Sequence, residues 1–492
     1  MTLEEILSKE DIGAKVELLK KGRRAPMVDA TRLYNDWNPD KHEIIVDKEK
    51  YPKIKIVLEK ERQEWDEKTK KTITIPAKIK EVEPNRIAIP LEQDIVNIHT
   101  AFTVGTEPEM KCDPVESEKG LYKALESVLK KNKIKYQNRK IVRSWLSEQE
   151  VAEYWYIAKD DGFWAKLKAK ITSIFGTNKP EGKLKSVIWS PFRGDKLYPF
   201  YNDEGDLIAF SREYKKKDVS GKETTCFMCI TADAVYNWEL DNGWADAGSF
   251  KHKFQKIPVI YSYRAEALCD KIRAIRIRLE KLLSGYADCI DYHFFPILML
   301  FGDVNNFSGE FKNRVVELTG ENANAAYLTW NQASDPVKVE LDTYFNQAYA
   351  LTNTPRISFD QLKGTGTALS GVAFRYVFMG AHMAVQNHGE ELGLFMQRRA
   401  NFLISALGAI NSHLEKAAET IDVEVEIVPY MIDDIDDKVK TAVSAVQGGI
   451  WSTREGVMFA GNAARVDEVL EEIKEEQDGQ AQQNGTNGNN KE

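Results

Sequence analysis

Between residues 264 and 292 the sequence carries an unbroken heptad stripe. Leu268, Ile272, Ile275, Leu279, Leu282, Tyr286 and Cys289 follow one another at alternating spacings of four and three. That period predicts one long α-helix with a narrow apolar seam. Lys271, Arg273, Arg276, Arg278 and Lys281 fill the remainder, against Asp270, Glu280 and Asp288. Such a helix cannot bury itself in one core. It requires neighbouring helices on one side and water or an acidic surface on the other.

The rest of the chain sets the context for that helix. At roughly 100–200 residues per domain, 492 residues predict two to four structural units. A hydrophobic share of 42% with 29% charged residues excludes a wholly disordered chain or a fibre. The net charge of −8 lacks the basic character of a tight DNA-binding domain, so any contact with nucleic acid should be loose or local. Five cysteines, an odd and sparse set, do not form a disulfide framework and point to a reducing compartment. The N-terminal MTLEEILSKEDIG lacks an apolar stretch of signal-peptide length, so no targeting segment is expected. The longest apolar run, FFPILMLFG at 294–302, falls far short of the ~20 residues of a membrane span; it reads as a buried strand.

Along the chain, an amphipathic helix is expected from Leu3 to Leu19, then a basic bend, Lys20-Lys21-Gly22-Arg23-Arg24. Alternating residues at 53–59 and 71–80 predict a hairpin with a charged tip. Helices follow at 93–102, closed by Gly105 and Pro108, and at 120–133 and 139–148. Residues 154–254, rich in β-branched and aromatic side chains and turn signals, read as an antiparallel β subdomain. After the seamed helix, PILMLFG, RVVELTG, AAYLTW and PVKVEL have strand character. A helix is expected over about 342–353, then a glycine-containing loop, then a very long helix over 368–421. Gly371, Gly380, Gly389, Gly393 and Gly408 in it predict kinks or close helix approach. DVEVEIVPY is a short strand, terminal helices follow, and the polar tail from 477 is expected to be disordered.

No sequence signal supports catalysis. The nearest phosphate-loop match, Gly176 to Leu184, has one intervening residue too many, an internal proline and leucine where the hydroxyl belongs. Gly364-Thr-Gly366 lacks dinucleotide-loop spacing. Cys226-Phe-Met-Cys229 has metal spacing but no second pair, and a strand would send its sulfurs to opposite faces. His382 and His388 are six residues apart and read as packing or surface. Asp433, Asp434, Asp436 and Asp437 read as the carboxylate-rich start of a helix. No catalytic residue, cofactor or metal ligand is assigned.

Four stretches resemble one family. They are Asn85-Arg86-Ile87-Ala88-Ile89-Pro90 with Gly105 and Pro108, then Lys256-Ile257-Pro258-Val259-Ile260 before the seamed helix. Next come Thr354-Pro355, Gly364 and Ala368-Leu369-Ser370-Gly371-Val372-Ala373, and last Ile427-Val428-Pro429 with Asp433-Asp434 and Ser452-Thr453-Arg454-Glu455. Their order is similar to that of the portal protein, or head–tail connector, of tailed bacteriophages of the siphovirus type, over about residues 86–476. Residues 1–80 match it less well.

The resemblance implies an α+β portal-like subunit. It would have an α/β wing (1–260, β-rich at 154–254), a two-helix stem (261–292 and 342–355) and a small α/β clip (293–341). A tunnel loop (356–367), a long kinked helix (368–421), a helical crown (422–476) and the tail (477–492) would follow. Dodecameric rings would sit at one capsid vertex of the virion, after assembly in host cytoplasm. The channel would pass double-stranded DNA, transiently and without sequence preference, during packaging and ejection. Partners would be the terminase large subunit, a head–tail adaptor, and major capsid and scaffolding proteins, with no membrane. Arg356, Gln361, Lys363, Gly364 and Thr365 would face DNA. Leu268, Ile272, Ile275, Leu279, Leu282 and Tyr286 would pack between subunits. Other readings are another ring-forming virion adaptor or scaffold, or a metal-dependent nuclease, which would need clustered carboxylates on strand ends.

Overall fold

The computed structural model describes residues 2–59, 61–66, 70–158, 183–293, 297–307, 316–328, 334–356, 376–430, 435–462 and 466–475. Among these, helices and antiparallel strands alternate without forming any parallel pair, so the fold is mixed α+β as expected. The chain divides into two compact units, residues 1–356 with 383–429, and residues 357–382 with 430–492.

The first unit opens with α1 (Leu3–Leu7) and α2 (Ile12–Lys21) rather than one helix. The Asp11 side chain accepts from the Gly13 amide and starts α2 afresh, so the continuous helix expected over 3–19 breaks there. Ile6, Val16 and Leu19 bury against Tyr198, Phe227 and Trp238. At the basic bend a Cβ on Gly22 would lie 2.0 Å from the Phe200 ring, so only glycine fits. Arg23 of that bend is buried against Glu150 at 2.7 Å, and its charge is spent inside the fold.

Helices α3 (Ala30–Trp37) and α4 (Glu43–Val46) follow; the sequence reading assigned neither. Then come β1 (Ile54–Glu59), β2 (Arg62–Asp66), β3 (Lys71–Ile75) and β4 (Lys78–Val82). A hairpin was expected here, but its arms pair differently: β1 pairs with β4, and β2 with β3. The stretch expected to be a solvated tip is mostly strand.

Helix α5 (Leu91–Val104) ends at Gly105 as expected, and β5 is Glu109–Lys111. Helices α6 (Lys119–Lys131) and α7 (Ile134–Glu148) are separated at Lys133, whose φ of +53° interrupts the helix. The β subdomain follows. Strands β6 (Glu150–Ala158), β7 (Lys183–Trp189) and β14 (Val259–Tyr263) form a sheet in the order β14-β6-β7. A second sheet contains β8 (Lys196–Tyr201), β9 (Leu207–Lys217), β10 (Glu223–Ile230), β11 (Ala234–Leu240), β12 (Trp244–Asp246) and β13 (Phe250–Lys251). Ala152, Trp189, Val259 and Tyr261 of the first sheet meet Leu197, Phe210 and Ile230 of the second in one apolar cluster.

The seamed helix α8 is Arg273–His293, preceded by a 3-10 turn at Asp270–Ile272. Residues 264–269, expected to be helical, are not: the Arg264 and Leu268 amides donate to Gln149 and Leu146 carbonyls instead. A hairpin of β15 (Ile297–Phe307) and β16 (Val316–Leu328) follows. Helix α9 is Ser334–Leu351. PVKVEL, expected as a strand, forms its opening turns. Pro336 fits there because the first helical N–H groups have no helical acceptor to lose.

The long helix α10 is Met379–Ile410 and stops earlier than expected. Asn411 ends it by accepting from the His413 amide, and α11 (Glu415–Thr420) folds back separately. Gly408 permits that return, since a Cβ there would lie 2.7 Å from the Ala418 Cβ. Strand β17 (Glu424–Glu426) pairs with β5. Residues 368–375 and the tail from 476 lie outside the described residues.

The second unit contains α12 (Ile435–Gln447), with Asp436 and Asp437 in its opening turn as expected; Asp433 and Asp434 lie outside the described residues. Helix α13 (Thr453–Val457) starts with a capping box between Ser452 and Glu455. A last helical stretch covers 466–475. Among the described residues no helix is long and apolar enough to cross a membrane.

Candidate functional site

The α8 seam divides along its length. Leu268, Ile272 and Leu279 are buried in the subunit's own core, and Ile275 packs against it. Leu341, Tyr344, Phe345 and Tyr349 of α9 close the same core. Leu282 and Tyr286 are only half-buried, and Cys289 and Ile290 are exposed. One subunit therefore satisfies the first half of the stripe by itself and leaves the second half partly open.

The basic remainder of the helix does not simply face water, as the sequence suggested. Arg276 is buried; it donates to Glu280 at 3.1 Å, to Asp36 at 2.7 Å and to Glu92. Arg273 donates to Asp36 at 2.9 Å, and Arg278 to Glu340 at 2.6 Å. The acidic surface this helix requires is supplied by α3, α5 and α9 of the same chain. Burial pushes the Glu92 carboxyl up to about 7, against the pull of Arg276.

Opposite this hub, residues 85–89 run in extended form along α8. The backbone amide of Ile89 donates to Glu280 at 3.0 Å, that of Ile87 to Ser284 Oγ at 2.9 Å, and that of Asn85 to Asp288 at 2.7 Å. The spacing is a register match. Two extended residues rise about 6.6 Å and four helical residues about 6 Å, so every second amide meets every fourth side chain. The side chain of Asn85 adds bonds to Asp288 at 3.0 Å and Asp291 at 2.6 Å. The motif Asn85–Pro90 is thus a strap that fixes the chain to the seamed helix.

A second polar cluster sits where α5, α7 and α10 meet the end of α9. His99 Nδ1 lies 3.1 Å from His388 Nε2, and His99 Nε2 lies 2.9 Å from Thr354 Oγ1. Thr354 Oγ1 lies 2.7 Å from Thr352 Oγ1, which donates to the Ala348 carbonyl at 2.9 Å. That last bond fixes every other proton. Thr352 has spent its hydrogen, so it accepts from Thr354. Thr354 then accepts from His99 Nε2–H, and His99 Nδ1 accepts from His388 Nε2–H. Both histidines are neutral with the proton on Nε2. Burial lowers His99 to about 4 and His388 to about 3. The Trp145 ring stands edge-on to His388, and Arg264 lies over Trp145 at 4.8 Å from its centroid. This relay ties the root of the segment following Arg356 to three helices.

Of the proposed channel residues, Arg356 donates to Asn346 at 2.7 Å and lies over Phe345, turned back onto α9. Gln361, Lys363, Gly364 and Thr365 lie outside the described residues. Cys226 and Cys229 are both buried on β10, and burial raises the Cys229 thiol to about 12. Sequence reasoning missed His99, Glu92 and Asp36. The available signal for the first was a histidine on the apolar face of the helix at 93–102. It read His388 as packing, which its ring contact with Trp145 supports, but without its hydrogen-bonded partner.

The sequence model of one protein family, "Phage portal protein, SPP1 Gp6-like", matches residues 31–483. The class is thus a structural component of a phage virion, a portal or head–tail connector. The chain belongs to the SPP1 Gp6-like phage portal family. No curated protein matches it. Among solved structures it is similar to a chain titled "Neck of empty GTA particle computed with C6 symmetry", at 9% identity and a TM-score of 0.43, over 76% of this chain and 90% of that one. It is also similar to one titled "Virion of native gene transfer agent (GTA) particle", at 10% identity and a TM-score of 0.37, over the same shares.

Proposed function

We propose that twelve copies form a ring at a single capsid vertex, through which double-stranded DNA enters during packaging and leaves during ejection. The family match over 31–483 carries this reading. The half-open end of the α8 seam supports it, because identical neighbours can complete what one chain leaves partly uncovered. α8 and α9 form the stem, with Leu282 and Tyr286 as its contact positions. Leu268, Ile272 and Leu279 serve the subunit core instead, with Ile275 beside them. β15 and β16 form the clip, which docks the terminase large subunit and later a head–tail adaptor. The second unit forms the crown. Major capsid and scaffolding proteins surround the wing, and assembly takes place in host cytoplasm.

A net charge of −8 suits a passage that must not grip its cargo. Each phosphate held by lysine or arginine adds affinity through counterion release, and a strongly basic lining would stall a sliding duplex. The segment after Arg356 touches DNA through Lys363. Lys363→Ala is expected to change DNA packaging or retention while rings still assemble, read by protected DNA per particle and by ring imaging. Loss of rings in that variant would make the segment structural and overturn its role at the DNA.

A further inference from the structure

Strands β1 to β4 form one blade. Their registers run on continuously: Ile54 faces Val82 and Val57 faces Ile79, then, after a bulge, Arg62 faces Ile75 and Asp66 faces Lys71. The interruption falls at Pro76, which has no N–H to give to a ladder. Arms of that length extend roughly 40 Å.

The base of this blade is rigid. Arg86 donates to the Ile44 carbonyl at 3.0 Å and to the Tyr51 carbonyl at 2.8 Å, holding the incoming strand. Asn85 bonds to Asp288 and Asp291, holding the outgoing one. Beyond the base, side chains on both faces are exposed, among them Gln63, Glu64, Thr72 and Thr74. Trp65 is 61% exposed and Ile79 51%. An isolated two-stranded ribbon is marginal in water, and it bears two unpaired edges. A firmly rooted blade with a bare tryptophan is built to lie on something.

We propose that the ribbon 54–82 lies on a second copy of this chain and clasps adjacent subunits of the ring. Three observations select that occupant. Two faces of ~40 Å by ~10 Å offer about 800 Å², one partner's share of a standard stable interface. The base sits on Ser284–Asp291, the same stretch of α8 whose seam is left half-open, so blade and seam make one continuous surface. The exposed charges are of both signs, Lys55, Lys70, Lys71 and Lys80 with Glu61, Glu64 and Glu81, which suits a protein surface better than the uniform negative charge of nucleic acid. In a ring the contact is heterologous, each copy giving its blade to one neighbour and receiving one from the other.

This inference rests on the ring reading, and the test separates the two. The photo-crosslinker p-benzoylphenylalanine is placed at position 65, and separately at 79, in the full chain. Purified rings are irradiated and run on denaturing gels. The expected result is covalent species at multiples of 56.0 kDa, with peptides joining position 65 to another copy in rings mixed from two isotope-labelled pools. Intact rings whose crosslinks at both positions stay within one chain, or do not form, overturn the clasp and leave the ring standing. A wild-type chain that forms no rings overturns the ring reading and the clasp with it.

Discussion

At the scale of single residues, the His99–His388 relay makes a pH-dependent demand on stability. The folded chain titrates His99 near 4 and the unfolded chain near 6.5. Between those values the unfolded chain binds the proton and the folded chain does not. The contribution is therefore complete above about pH 6.5 and falls as pH drops toward 4, by about 3 kcal/mol. Glu92, raised to about 7, acts in the opposite direction over part of that window, so the comparison must be with a variant. His99→Gln keeps a donor near Thr354 and removes the titrating ring. Its denaturation midpoint is expected to change less than that of the wild type between about pH 7 and pH 4.5. Equal losses in both proteins would assign the acid sensitivity elsewhere. No spacing rule could have revealed this relay, because His99, Thr354 and His388 are separated by hundreds of residues and meet only through folding.

At the scale of elements, the α8 stripe was legible because a heptad repeat states its own geometry. Its environment was not. Arg276 looks like a solvated charge in sequence, yet it is buried against carboxylates from α3 and α5, which no local pattern encodes. PVKVEL alternates like a strand, but Pro336 and continuity with the residues to Leu351 give it to a helix. The division of the seam makes a contrast. Leu279→Asp places an unpaired charge in the core and should unfold the subunit. Leu282→Asp lies at the half-buried end and should leave circular dichroism and the monomer's thermal transition nearly unchanged while abolishing rings. Rings that survive Leu282→Asp with normal stability would remove α8 from the subunit contact.

At the scale of the whole molecule, the order of elements carried the family assignment, since the matched region contains all four stretches that resemble portal proteins. What one chain shows is a subunit with its main core closed, a seam closed over half its length, and a rooted blade extending from the same helix. All three features suit a copy that meets identical copies around an axis. Electron microscopy of the purified full-length protein tests this most directly. The account predicts closed rings of one size with a central hole wide enough for duplex DNA, about 20 Å or more, and α8 lying between neighbours. Solitary particles without an opening under every assembly condition, or rings with α8 remote from every subunit boundary, would contradict it.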